Sequence, residues 1–390
     1  MSTIELASAP QRATRRPEGV RQPARLPVLF LIADTGGGHR SAARAVGQAL
    51  ERLYPGRFGP VLCDPLGGPG SARLLRWVTG LYGPAIRLAP WLWGAAYHVT
   101  DSPPAAAVLR RTLLRLADRP VLAAARAHRP AAVVSFHPLT GPAAVRARDL
   151  GAPGTAVMTV VTDLARVHAA WRYAGVDLIV APDRTTALPV SRDFWGGPML
   201  GRHERAALRR ALGVREDRFL VLLTGGGEGS GGIGRRAAAI LRRLPGVDVV
   251  AVCGRNRRLR RRLDRIATGS GGRLTVTGFT RDMADWLRCS DLVVTKAGPG
   301  TIAEATCCGA PLLLTSHVPG QERGNAEIVT RAGAGRRARS VRRLLAEIED
   351  LRADASRLAQ MRAASARLGR PGAAAAIAEQ IAALAGAGRC

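Results

Sequence analysis

Asp34-Thr35-Gly36-Gly37-Gly38-His39 follows an apolar run at 26–33, and Thr224-Gly225-Gly226-Gly227-Glu228-Gly229 follows a second apolar run at 219–223. Each reads as a loop that ends a strand and opens a helix. Glycine at such a turn lets backbone N–H groups approach a ligand without side-chain obstruction, and the N-terminus of the following helix adds partial positive charge that favours an anion. Two phosphate-sized cradles in one chain predict a cleft between two nucleotide-binding-like domains.

Outward from the first loop, residues 41–53 predict a helix with Ala42, Val46, Ala49, Leu50 and Leu53 on one face. Short apolar runs at 132–136, 155–161 and 177–181 alternate with Ala/Arg/Leu-rich helical stretches, the pattern of a parallel sheet with crossover helices. Outward from the second loop, strands at 219–223, 247–253, 274–277, 292–295 and 311–315 repeat the alternation. Between them, Trp195-Gly196-Gly197-Pro198-Met199-Leu200-Gly201 predicts a hinge, with a basic helix at 204–212 after it. The predicted fold class is α/β, with two facing Rossmann-like doubly wound domains over 26–200 and 201–370. A basic tail at 1–25 precedes them. A helical, low-complexity tail at 371–390 follows, and the helical stretch from 341 to about 385 is placed to fold back across both domains.

The 390 residues, 47% of them hydrophobic, suffice for two ordinary cores. Formal net charge is +29, and Lys296 is the single lysine among 58 basic residues, so 57 are arginine. Such a surface attracts polyanions, and Coulomb attraction alone does not choose among nucleic acid, anionic lipid headgroups and nucleotide phosphates. Nucleic acid is the disfavoured partner, because the basic residues are spread over many helices and the six Trp and six Phe form no stacking pattern. Cys63, Cys253, Cys289, Cys307, Cys308 and Cys390 include no C-x-x-C pair and no zinc spacing, which predicts a reduced, cytoplasmic protein. Residues 1–25 lack the apolar stretch of a signal peptide, and no run is long enough to span a membrane.

Residues 73–103 stand apart, mixing Leu74, Leu75, Trp77, Leu81, Tyr82, Trp91, Trp93 and Tyr97 with Arg73, Arg76 and Arg87. Aromatic and basic residues so combined suit docking on an anionic membrane surface. A helical insertion packed on the domain explains them equally well.

Five motifs occur in order: Asp34 to Arg40; Val161-Thr162-Asp163-Leu164 with His168 and Trp171; Gly225 to Gly229; Thr295-Lys296-Ala297-Gly298-Pro299-Gly300-Thr301-Ile302-Ala303-Glu304; and Pro319-Gly320-Gln321-Glu322-Arg323-Gly324-Asn325. With them the chain resembles the monogalactosyldiacylglycerol synthases and processive diacylglycerol glucosyltransferases. More distantly it is similar to the bacterial lipid-linked N-acetylglucosaminyltransferase of peptidoglycan synthesis. The resemblance runs from about 28 to 335, and includes Tyr82-Gly83-Pro84 to Trp91, Tyr97 and Thr100, where such enzymes meet membrane and acceptor. It implies a GT-B fold, a UDP-sugar donor, a lipid acceptor and inverting transfer at the cytoplasmic face of the cell membrane.

Inverting transfer needs a base for the acceptor hydroxyl on one face of the sugar and stabilisation of a departing diphosphate on the other. His39 is the candidate base, with an ordinary pKa near 6.5 that suits proton transfer around neutrality; Asp34 is placed to orient it or to bind acceptor hydroxyls. The resemblance assigns Gly37, Gly38, Trp91, Asp163, His168 and Trp171 to the acceptor side. On the donor side Gly225, Gly226 and Gly227 are expected to hold the diphosphate through backbone amides, and Gly298, Pro299, Gly300 and Thr301 repeat that logic. Glu304, read as lying on the first turn of the next helix, corresponds to a ribose-binding carboxylate, and Phe279 and Thr280 to a uracil-contacting turn. Gln321, Glu322 and Asn325 correspond to the segment touching sugar and diphosphate. No D-x-D occurs, so no obligatory metal or other cofactor is expected.

Two other classes stay open at this stage. One keeps the UDP-sugar and changes the acceptor to a polyprenyl-linked or soluble compound, with a sugar-nucleotide epimerase of related architecture behind it. The other is a non-enzymatic binder of polyanions.

Overall fold

The computed structural model describes residues 25–33, 37–183, 187–194 and 199–387. Asp34 and residues 195–198 of the predicted hinge lie outside them. The first domain runs β1 (Leu26–Leu31), α1 (Gly38–Leu53), β2 (Phe58–Cys63), α2 (Arg73–Gly80), α3 (Tyr82–Leu88), α4 (Pro90–Thr100), α5 (Pro103–Arg111), α6 (Asp118–His128), β3 (Ala132–Ser135), α7 (Gly141–Gly151), β4 (Ala156–Val160) and β5 (Leu178–Val180). Its sheet has the order β2-β1-β3-β4-β5, parallel throughout. Val28 to Ala33 are all buried, the near-continuous apolar run of a strand covered on both faces.

The second domain runs α8 (Arg202–Ala211), β6 (Phe219–Thr224), α9 (Ile233–Arg243), β7 (Val247–Val252), α10 (Arg257–Thr268), β8 (Leu274–Thr277), α11 (Met283–Cys289), β9 (Leu292–Lys296), α12 (Pro299–Cys307), β10 (Leu312–Ser316), α13 (Asn325–Arg331), β11 (Gly335–Arg337), α14 (Val341–Ala353) and α15 (Ala355–Leu368), with α16 (Ala373–Ala387) last. Its parallel sheet has the order β11-β10-β9-β6-β7-β8.

In open sheets of this kind ligands collect beyond the carboxyl ends of the strands, where the winding direction reverses. That reversal falls between β1 and β3 in the first sheet and between β6 and β9 in the second. The loops leaving β1 and β6 are the two glycine turns.

Four expectations change. The segment at 371–387 is not a low-complexity tail: Ile377, Ala378 and Ile381 of α16 are buried against Phe30, Ala42 and Val46, so the last helix completes the core of the first domain. The strand β2 was not anticipated, because Gly59 and Pro60 interrupt its apolar pattern; it sits at the sheet edge, where a proline is tolerated. The three-residue edge strand β11 was equally unforeseen. The second glycine turn does not open a helix directly, since eight residues separate Thr224 from α9, which starts behind Gly232 in the left-handed conformation.

The aromatic segment is helical, with some of its apolar side chains packed on the domain and others exposed. Leu75 and Tyr97 are buried, whereas Leu74, Trp77, Val78, Leu81, Leu88, Trp91 and Leu92 are exposed. Among the described residues no helix is long and apolar enough to cross a membrane.

Candidate active site

Gly37, at φ +84°, caps α1 and delivers His39 to the switch point of the first sheet. The ring is buried, and its Nδ1 lies 2.7 Å from the carbonyl oxygen of Phe136 at the end of β3 and 2.8 Å from Thr162 Oγ1. A carbonyl only accepts, so Nδ1 carries the proton and Nε2 keeps its lone pair. Burial lowers the His39 pKa to about 4, partly offset by the Phe136 hydrogen bond, in place of the ordinary value expected from sequence. His39 is therefore a neutral imidazole throughout the physiological range.

A second imidazole, His137, packs edge-on against it with ring centroids 4.5 Å apart, and is likewise held neutral by burial and by His39. Its Nδ1 accepts from Leu139 N–H at 3.2 Å. Sequence reasoning passed over His137; the available signal was a histidine one residue beyond a strand-end phenylalanine, level with the glycine turn.

Asp163 is buried, and its pKa rises to about 6, through burial, against hydrogen bonds from Trp171 Nε1 and the His168 backbone that favour the charged form. Trp171 is fully buried, and its Nε1–H donates to Asp163 Oδ2 at 2.7 Å. His168 is also committed: its Nδ1 accepts from Ala170 N–H, leaving Nε2–H toward Tyr97 O at 3.3 Å and Thr100 Oγ1 at 3.2 Å. It ties α4 to the loop after β4. Gly38 has open space before it, and Trp91 stands exposed on α4.

On the facing side a Cβ at Gly225 would stand 1.9 Å from Ser230 O, so only glycine fits the turn. Gly226, at φ +70°, looks across to Lys296 Cε and Thr301 Oγ1, each 4.0 Å from where its Cβ would be. Gly227 O accepts from Arg255 N–H at 2.8 Å, and Gly254 packs on the same carbonyl. Gly298 caps α12, whose first turn begins with Pro299 and Gly300, and stands against Lys296 Nζ. The single lysine of the chain thus lies between the two donor-side turns, paired with buried Glu322, whose other oxygen accepts from Val318 N–H at 2.7 Å.

Glu304 falls on the second turn of α12, not the first, beyond the reach of the helix dipole. Burial raises its pKa to about 7, with no charged neighbour acting on it. Phe279 projects into solvent with the Arg255 guanidinium 5.6 Å from its ring centroid, and Thr280 caps its own turn through Asp282. Gln321 is partly buried on the Pro319 turn.

The two halves meet. Arg255 reaches from beside Glu228, at 3.6 Å, to within 4.0 Å of the Cβ position of Gly37, so the glycine turns face one another across a crevice. Asn325 staples the domains: its Oδ1 accepts from Ala165 N–H at 3.1 Å while its Nδ2 donates to Ala297 O at 2.9 Å. Its amide keeps one N–H and one oxygen lone pair beyond these two bonds. On α4, Gly94 admits Pro319 and the Tyr97 ring covers Gly320. The Tyr82 hydroxyl, raised in pKa by burial and then by Glu322, Glu228 and Asp163, lies among carboxylates of both domains. Tyr82, Lys296 and Arg255 complete a cleft that motifs alone did not delimit.

Two facing parallel-sheet domains, one offering a neutral imidazole and the other glycine turns around a cation, have the architecture of the GT-B fold. Residues 220–379 match the glycosyltransferase family 28 C-terminal domain. The chain is 33% identical over 341 residues to a rice (Oryza sativa subsp. indica) protein named "Probable monogalactosyldiacylglycerol synthase 2, chloroplastic", across 82% of this chain and 72% of that one. It belongs to the monogalactosyldiacylglycerol synthase family and is a hexosyltransferase. The fold is shared with Acinetobacter baumannii MurG, at 15% identity and TM-score 0.58 over 92% of this chain and 99% of that one. It is also shared with Anabaena Alr3699/HepE in complex with UDP-glucose, at 15% identity and TM-score 0.51 over 93% and 98%.

Proposed function

We propose that this protein moves a hexosyl group from a UDP-sugar to the free hydroxyl of diacylglycerol, with inversion, at an anionic membrane surface. The observation that carries the reading is the His39 imidazole, pinned through Nδ1 to Phe136 O and two residues beyond Gly37, whose Cβ position lies 4.0 Å from the donor-side Arg255 guanidinium. Nε2 takes the proton of the acceptor hydroxyl as its oxygen forms the new bond to the anomeric carbon. The bond from that carbon to the β-phosphate oxygen breaks, and UDP leaves with the electron pair.

Lys296, Arg255 and the amides of Gly225 to Gly227 meet the charge that grows on the leaving diphosphate. That negative charge also raises the pKa of His39 while it receives a proton. Glu304 takes the ribose hydroxyls, Phe279 and Thr280 flank the base, and Glu322 with Tyr82 faces the sugar. No metal is called on, so chelators leave the rate unchanged. The UDP-glucose held by a fold neighbour supports the donor class, and the name of the rice relative supports the acceptor.

The exposed apolar face of α2 to α4 is the docking surface, and the protein is peripheral, at the cytoplasmic face of the cell membrane. Nucleic acid has no part in it. The test is UDP release with each of UDP-galactose, UDP-glucose and UDP-N-acetylglucosamine, with and without diacylglycerol, and assignment of the product anomer by NMR. Lipid-dependent release with the anomeric configuration inverted is expected; release independent of lipid, or a retained configuration, overturns it.

A further inference from the structure

Behind the second glycine turn the chain enters α9 through Gly231 and Gly232, both left-handed, at φ +84° and +68°. The helix start is buried at Ile233 and Gly234, no side chain caps it, and its first turn holds no acid. A buried helix N-terminus leaves N–H groups that need an acceptor, and its partial positive charge favours an anion.

The side chain that does reach this end has the wrong sign. Arg236, one turn in, points back along the helix as long helical side chains do, and its Nη1 stands 2.6 Å from where a Cβ of Gly232 would be. Only 6% of Arg236 is exposed, its Nε is buried without a hydrogen-bond partner, and among the described residues no ion pair engages the guanidinium. Burial and the neighbouring Arg235 lower its pKa, and no acid acts against them. Arg209 on α8 is buried to the same degree and shows how this chain normally treats such a group: it donates to Cys289 O, Glu216 O, Arg218 O and Asp291 Oδ2. An unpaired guanidinium over an uncapped helix start is unfavourable twice, through lost hydration and through opposition to the helix dipole.

The place is distinct from the nucleotide turns. α9 packs on the face of the second sheet that carries Val221, Leu223 and Val249, and α12 on the opposite face with Leu222, Val250 and Leu312. Two helix N-termini thus flank one carboxyl edge, with Lys296 between them: a Cβ at Gly231 would stand 3.8 Å from Lys296 Cβ and 3.5 Å from Ser316 Oγ.

We infer that Arg236 and the first-turn N–H groups of α9 bind a phosphate group, at a site the function proposed above does not use. The guanidinium fork offers paired donors to two phosphate oxygens, the helix start offers backbone donors to a third, and the negative charge offsets both positive ends. Gly232 is exposed and leaves the site an opening. The phosphate is either the β-phosphate of UDP or free inorganic phosphate, and only the first source rests on the UDP-sugar reading.

The experiment is thermal unfolding and calorimetric titration of the full-length protein with inorganic phosphate, UDP and UMP, in native, R236M, R236K and R235Q forms at one ionic strength. The native protein is expected to melt higher in phosphate than in chloride. R236M is expected to melt higher than the native protein in chloride, because it deletes a buried unpaired charge, and to gain nothing from phosphate; R236K is expected to keep part of the phosphate effect. R235Q, which removes the exposed neighbouring charge, is expected to bind as the native protein does. If the source is free phosphate, R236M keeps native UDP affinity within about twofold, and phosphate still binds the native protein saturated with UDP. If it is the nucleotide, R236M binds UDP about tenfold or more weakly while UMP affinity changes by less than about twofold. R236M responding to phosphate and binding UDP as the native protein does, or R235Q losing as much as R236M, overturns the site. R236M melting below the native protein in both salts overturns it too, since the guanidinium would then be held by the protein itself. If phosphate stabilises the protein through Arg236 while no UDP-sugar is turned over, the function proposed above fails alone.

Discussion

The two glycine turns occupy equivalent places, each at the switch point of a parallel sheet, and are built for opposite chemistry. Around the first, His39 and His137 are buried and kept neutral, His39 with the Phe136 carbonyl and the Thr162 hydroxyl as partners and His137 accepting from Leu139 N–H. Around the second, Lys296 and Arg255 stand beside carboxylates, in a setting made for charge. Topology chooses where a ligand goes, and local desolvation chooses whether that place receives a proton or an anion.

The hardest test of this contrast is His39→Ala. It is expected to lower kcat by about 10²–10⁴-fold, the usual worth of a general base, while UDP affinity measured by calorimetry stays within twofold. Lys296→Met is expected to do the reverse in part: weaker UDP binding along with slower turnover, because it removes the cation between Gly226 and Gly298 and leaves Glu322 buried without its partner. If His39→Ala weakened UDP binding as much as Lys296→Met, the two sides would not be chemically distinct.

The last helix extends the comparison to stability. Ile381 of α16 is fully buried in the first core although it follows the second domain in sequence. Ile381→Ala is expected to destabilise the protein by about 2–5 kcal/mol in denaturant titration. UDP binding to whatever folded protein remains should be unchanged, since the donor turns stand on a different sheet.

Much of this was legible beforehand. The glycine turns and the alternation of strands and helices placed both sheets, and the order of motifs pointed to the family. What escaped depends on contacts between distant segments. Pro60 argues against a strand until an edge position makes it harmless. The alanine-rich 373–387 stretch looks like low complexity, and only α1 opposite it turns it into core. The His39 pKa follows from burial beneath Phe136 and Thr162, 97 and 123 residues away, which no local spacing encodes. His137 belongs to no motif and became visible only when β3 was laid beside β1.

The contrast has its finest consequence in pH dependence. His39 has its folded pKa lowered from 6.5 to about 4, so between those values the unfolded chain binds more protons, and stability falls as pH drops. Across that window the loss is on the order of 2–3 kcal/mol, with His137 acting in the same direction. Glu304, raised from 4.5 to about 7, acts oppositely: its contribution is present in acid and is lost as pH rises through 7. Asp163, raised to about 6, follows Glu304 although it sits on the acceptor side.

Glu304→Gln isolates the donor-side component. Relative to the native protein it should be more stable at pH 8, by roughly 1–3 kcal/mol, and indistinguishable only below about pH 4, where the carboxyl is protonated in both the folded and the unfolded chain. Ribose hydroxyls donate to the ionised carboxylate, so native UDP affinity should climb as pH rises through 7, and the variant should bind weakly with no such climb. Stability gained together with a flat binding profile is the signature of a carboxylate kept desolvated for a ligand. A stability gain with the native pH profile of binding would show that Glu304 is merely a poorly placed acid and that the ribose is held elsewhere.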